Sequence, residues 1–192
     1  MLLFNNSQIT VSSQGEGSAV NLTINANSVE LNQSNLQAET VAGNGNIIIN
    51  TQDLRSRGNS QITTNATGEA TGGNIEINTN LLISLENSDI SANAQQAFGG
   101  RVIINANAVF GTQFRTVQTS ASDITATSEL GAQFSGTVEL NSEIDPSQGL
   151  VEFPQTLVDP AALIAQDPCL KARESQFIIT LRGGFQTLQA TR

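Results

Sequence analysis

Apolar and polar positions alternate in short runs along this chain, and the runs themselves return about every 27 residues. The first run is a serine, a polar residue and an aliphatic. It stands at Ser7-Gln8-Ile9, Ser34-Asn35-Leu36, Ser60-Gln61-Ile62, Ser88-Asp89-Ile90 and Ser122-Asp123-Ile124, with serines 27, 26, 28 and 34 residues apart. Two residues beyond each aliphatic comes a small or β-branched one: Val11, Ala38, Thr64, Ala92 and Ala126. A second run keeps phase with the first and closes on Asn25, Asn50, Asn78, Asn105 and Asn141, as in Ile75-Glu76-Ile77-Asn78 and Val102-Ile103-Ile104-Asn105. Glycines precede most copies, among them Gly45, Gly72, Gly73, Gly99, Gly100 and Gly136. A third run follows at Val29-Glu30-Leu31, Leu81-Leu82-Ile83 and Val109-Phe110. Leu2-Leu3-Phe4 is the same strand one coil earlier, 27 residues before Val29-Glu30-Leu31, and the second coil offers only Leu54.

A period of two marks a strand with one buried face. Three such strands per unit, divided by glycine and polar turns, predict an all-β protein: a right-handed, single-stranded parallel β-helix of about five coils. One coil cannot bury its apolar face alone, so neighbours stack about 4.8 Å apart and share a core. Ile9, Leu36, Ile62, Ile90 and Ile124 are then an internal ladder. Asn25, Asn50, Asn78 and Asn105 are a corner ladder, whose side chains are expected to bond successive backbones and to tolerate left-handed geometry. A helical reading fails, because the apolar period is two and runs of Ala, Leu, Glu and Lys are missing.

The repeats span residues 1–141. The long last interval reflects an insertion at residues 111–121, which reads either as a plain bulging loop or as a partner-binding loop anchored on Phe114 and Arg115. Residues 142–192 change character and hold all four prolines, three of them, Pro146, Pro154 and Pro160, in an irregular stretch. Asp159 and Pro160 can start a short helix running to Gln166, and Gln176 to Leu181 reads as a final strand. Such a segment suits the capping of an open strand edge. Chain entry at Leu2 falls in mid-coil, which points to coils upstream.

Composition sharpens this picture by exclusion. There is no Trp, Tyr or His and aromatics are 4% of the chain, so the core must close on aliphatics. Only 13% of residues are charged and the net charge is −9, without the clustered cations that phosphate backbones demand; no nucleic acid is expected as a partner. The single Arg182-Gly183-Gly184 triplet does not change that. Cys169, the one cysteine, has neither His nor a second Cys for metal or disulfide chemistry, so no metal or cofactor is expected. The N-terminus lacks the basic and long apolar regions of a signal peptide, and no stretch is long and apolar enough for a transmembrane segment.

The stretch Gly111-Thr112-Gln113-Phe114-Arg115, then Ser122-Asp123-Ile124-Thr125-Ala126, Ser135-Gly136-Thr137-Val138-Glu139 and Asp145-Pro146-Ser147-Gln148-Gly149-Leu150-Val151-Glu152, resembles the cyanobacterial filamentous haemagglutinin-like exoproteins. Leu157-Val158-Asp159, Ile164-Ala165-Gln166, Cys169 and Arg182-Gly183-Gly184 resemble their C-terminal signature. The resemblance implies two-partner secretion: an N-terminal secretion domain, on sequence upstream of this chain, is recognised by an outer-membrane β-barrel transporter. It also implies a secreted or cell-surface location and an adhesive rod, with surface glycans or other cells as partners.

Four functions compete. A structural or adhesive rod without catalysis accounts for the polar exterior. A polysaccharide-binding or polysaccharide-cleaving β-helix would gather carboxylates on one face. Asp89 and Asp123 share a ladder position, but Gln8, Asn35 and Gln61 hold it in other coils, which reads as a solvated polar row. Asp53 with Arg55 and Arg57 is a second charged patch. Calcium-stabilised folding would need the aspartates that Gly43-Asn44-Gly45-Asn46 and Gly72-Gly73-Asn74 lack. Ice binding would need Thr rows in register, where only Thr125-Ala126-Thr127 is available.

Overall fold

The computed structural model describes residues 1–13, 21–41, 43, 45–144, 178–181 and 184–187. The chain divides into two compact units, Met1–Leu150 and Val151–Arg192. The first is a parallel β-helix of about four turns. Five equivalent strands bound four full turns, which reconciles this number with the five copies in the sequence.

One wall is built from β2 (Gln8–Ser13), β5 (Asn35–Thr40), β8 (Gln61–Ala66), β10 (Asp89–Ala94) and β13 (Ser122–Thr125), each paired in parallel with its neighbour. The other sheet has two arms. Its first arm begins with β3 (Asn21–Asn25) and β6 (Asn46–Asn50), its second with β1 (Leu2–Phe4), β4 (Ser28–Asn32) and β7 (Asp53–Arg57). In later coils both arms run through single long strands, β9 (Asn74–Ser84) and β11 (Arg101–Phe110), before β14 (Thr137–Ile144) closes the sheet. The weak copy around Leu54 is thus a full strand: Leu54 is inward and fully buried, and the rest of β7 is polar. Leu2-Leu3-Phe4 pairs one residue out of the expected phase, Leu3 lying beside Leu31 and Leu2 beside Glu30. That shift turns Leu3, not Leu2, toward the core.

The inward rows form the predicted ladder. Ile9, Leu36, Ile62, Ile90 and Ile124 are register partners in turn, and the last four have no exposed surface. Ile47, Ile75 and Val102 face them from the other sheet, with Ile49, Ile77 and Ile104 beside. Burying an aliphatic side chain of this size contributes about 1.5–3 kcal/mol, which is how a chain almost without aromatics holds a core.

Three polar columns fasten the coils. Asn25, Asn50, Asn78, Asn105 and Asn141 join amide to amide, each Nδ2 donating to the Oδ1 one coil earlier at 2.8–2.9 Å. The bonds run between side chains, not to backbones as expected, because these residues lie in extended strands. Left-handed backbone instead occurs in the turns entering β2, β5, β8 and β10: Asn5, Asn6, Gln33, Asn59, Glu86 and Asn87 have φ of 52–63°. After each turn the serine of the repeat forms the second column. The backbone N–H groups of Ser34, Ser60 and Ser88 donate to the hydroxyls of Ser60, Ser88 and Ser122 at 3.0–3.1 Å. The third column is glycine: a Cβ on Gly73, Gly100 or Gly136 would fall inside the carbonyl oxygen of Gly45, Gly73 or Gly100 respectively. Only hydrogen fits there.

In the second unit, β15 (Ile178–Leu181) pairs antiparallel with β16 (Gly184–Thr187). The expected final strand is therefore one arm of a hairpin. The expected helix from Pro160 to Gln166, its Asp159 cap and Cys169 lie outside the described residues.

Candidate functional site

The insertion at residues 111–121 begins as a strand, not a loop. β12 (Thr112–Phe114) pairs in parallel with β13, Thr112 beside Ser122 and Phe114 beside Ile124. The chain rises one layer as β12, loops outward, and returns below it as β13, so β12 covers an edge that β13 would otherwise present. Phe114 thereby becomes a further rung of the ladder, following Ile90 and Ile124. It is 53% exposed because no described strand stacks on it.

Arg115 turns the other way. Its backbone N–H donates to the Ile124 carbonyl at 3.1 Å, and its guanidinium pairs with the Asp123 carboxylate. The rest of the loop folds back over the wall. Thr119 donates to Asp123 Oδ2 through both its backbone N–H and, at 2.9 Å, its hydroxyl. Gln118 Nε2 donates to Asp89 Oδ2, while the Asp123 backbone N–H donates to Asp89 Oδ1 at 2.9 Å. The Asn87 amide lies 3.2 Å from the Thr119 carbonyl and 3.1 Å from that of Ala121, and its nitrogen donates to both.

Asp89 and Asp123 are consequently buried, at 3% and 0% exposure, and not the solvated row expected of them. Burial raises the Asp123 pKa, but the two Thr119 bonds and the Arg115 charge outweigh it, holding the carboxyl below its ordinary value. All four carboxylate oxygens accept hydrogen bonds from the chain itself. The cluster therefore ties an insertion to its wall, and neither carboxylate is aimed at open space.

One signal for this stands in the sequence. The outward row reads Gln8, Asn35, Gln61, Asp89, Asp123. Aspartate replaces amide only in the two coils that the insertion covers, where donors from the loop need an anionic acceptor.

The other patch is ordinary. Arg57 pairs with Glu86 at 2.7 Å, both about half exposed, and Asp53 sits beside Ser28 and Leu81 in the sheet. Thr125, of the lone Thr125-Ala126-Thr127 triplet, is buried at 1%. Among the described residues, no group of three or more His, Cys, Asp or Glu is placed to hold a metal, and no helix is long and apolar enough to cross a membrane. Comparison with protein-family models, curated proteins and solved structures finds no match for this chain.

Proposed function

We propose that this chain is a structural and adhesive rod segment of a secreted or cell-surface exoprotein of the filamentous haemagglutinin type. The supporting observation is that the polar side chains placed most regularly along the solenoid are spent on holding coils together. The asparagine and serine columns bond to themselves, and the Asp89–Asp123 pair is consumed in clasping the insertion. A rod that displays turns and loops uses its residues this way. A cleaving β-helix would keep its carboxylates open to substrate. Export through a two-partner outer-membrane transporter belongs to the same proposal and rests on the resemblance alone.

Display of the chain on a non-adherent bacterium tests this reading. Cells should be retained on glass or on cultured cells above an empty-display control, and equal retention would overturn the adhesive role. Release of reducing ends from a polysaccharide that disappears in Asp89→Ala or Asp123→Ala would overturn the non-catalytic one. A second reading, polysaccharide binding, is favoured by a groove along one edge of the β8 and β10 wall.

A further inference from the structure

A groove of about 470 Å³ crosses five coils where β2, β5, β8, β10 and β13 end and the chain turns away. Its floor is narrow in side chain: Ala66 and Ala94 are register partners and buried. One wall is the outward row Glu39, Asn65 and Asn93, in register on successive coils. The facing wall carries Thr67, Gln95 and Glu129, whose backbone N–H groups bond to the preceding coil in the same repeating manner. The groove therefore runs across the strands, along the stacking direction, and offers one pair of side chains per coil: Glu39 and Val41, Asn65 and Thr67, Asn93 and Gln95, Thr127 and Glu129.

From this we infer that the groove binds a neutral, linear, extended glycan lying parallel to the stack, an inference that rests on the second reading above. The chemistry of the walls selects that class. Asn65 and Asn93 use their Oδ1 atoms internally, accepting from Thr63 Oγ1 and from Thr127, which leaves their Nδ2 groups facing the groove as donors. Glu39 and Glu129 stand at opposite ends as acceptors, and Gln95 supplies both kinds of group. Sugar hydroxyls donate and accept at once, so they satisfy such a mixed row; a purely anionic chain does not. Among the described residues, no lysine or arginine lines the groove, and two carboxylates repel a uronate or sulfated polymer. A straight groove with one set of groups per coil fits an extended β-1,4 chain better than a coiled α-1,4 one.

The test is titration of the whole ¹⁵N-labelled chain with cellohexaose, mannohexaose and xylohexaose, followed by the side-chain amide signals of Asn65, Asn93 and Gln95. Maltohexaose and a hexamer of polygalacturonate serve as controls. Saturable shifts at those amides with at least one β-1,4 hexamer are expected. Affinity should fall about tenfold in Gln95→Ala with melting temperature unchanged, and further in Thr67→Arg, which fills the groove from an exposed position and gives up the Thr67 hydroxyl bond to the Thr40 carbonyl. The inference is overturned if none of the three hexamers binds, if shifts map elsewhere, or if the polygalacturonate hexamer binds as well as the neutral ones. Failure of all three hexamers to bind while displayed cells are still retained would leave the adhesive rod standing and sink the groove reading alone, so the two failures are distinguishable.

Discussion

At the scale of single residues, the fold repeatedly spends one side chain on one neighbour a coil away. Asp123 is the strongest case, because it is a fully buried charge whose carboxylate donors, Arg115 and Thr119, both come from the insertion. Its pKa is depressed in the folded state. The stabilisation it contributes is therefore fully present above the ordinary aspartate value of about 3.9 and is lost as pH falls through the lower folded value. Asp123→Asn should cost about 1–3 kcal/mol near neutrality by denaturant titration, and that deficit should shrink in acid as the wild type protonates. A deficit that stays constant into strong acid would show that the charge contributes nothing. The burial of this residue was not legible in the sequence, because it depends on where eleven inserted residues fold back, and no periodicity describes an insertion.

At the scale of elements, the strands were largely legible and the fasteners between them only partly. Ile62 and Ile90 could be read as stacked because apolar period and coil period agree at every copy. Asn78 was readable as a ladder position, but not as one bonded amide to amide, since that depends on the local strand geometry. β12 was missed because Thr112, Gln113 and Phe114 are too few to show alternation, and their partner strand follows them in sequence at an irregular distance. The serine column was visible as a pattern without a role until the left-handed turns before it placed each hydroxyl on a backbone N–H. The asparagine column yields a graded expectation. Asn105→Ala breaks bonds to both Asn78 and Asn141, whereas Asn25→Ala breaks only the bond from Asn50. The interior change should cost about 1–3 kcal/mol and the terminal one about half as much, read from urea midpoints at constant slope. Equal costs would mean the amide bonds are dispensable and the loss is generic.

At the scale of the whole solenoid, stability is a sum over coils and the contacts between them. The chain meets the edge problem of parallel strands in part by laying β12 on β13, while β14 still leaves Leu140 at 42% and Ile144 at 55% exposed. A net charge of −9 disfavours association through such an edge. The central claim is that successive coils stack parallel and in register. It is tested most directly by cross-linking Glu76→Cys with Ile103→Cys in a Cys169→Ser background. These positions are paired between β9 and β11, 27 residues apart. Adjacent strands bring their Cα atoms about 4.8 Å apart, within the range a disulfide spans. Glu76→Cys with Arg101→Cys, two positions out of register, is the control. Near-complete oxidation of the first pair with little of the second is the expected result. Oxidation of the out-of-register pair in preference to the first would contradict the stack.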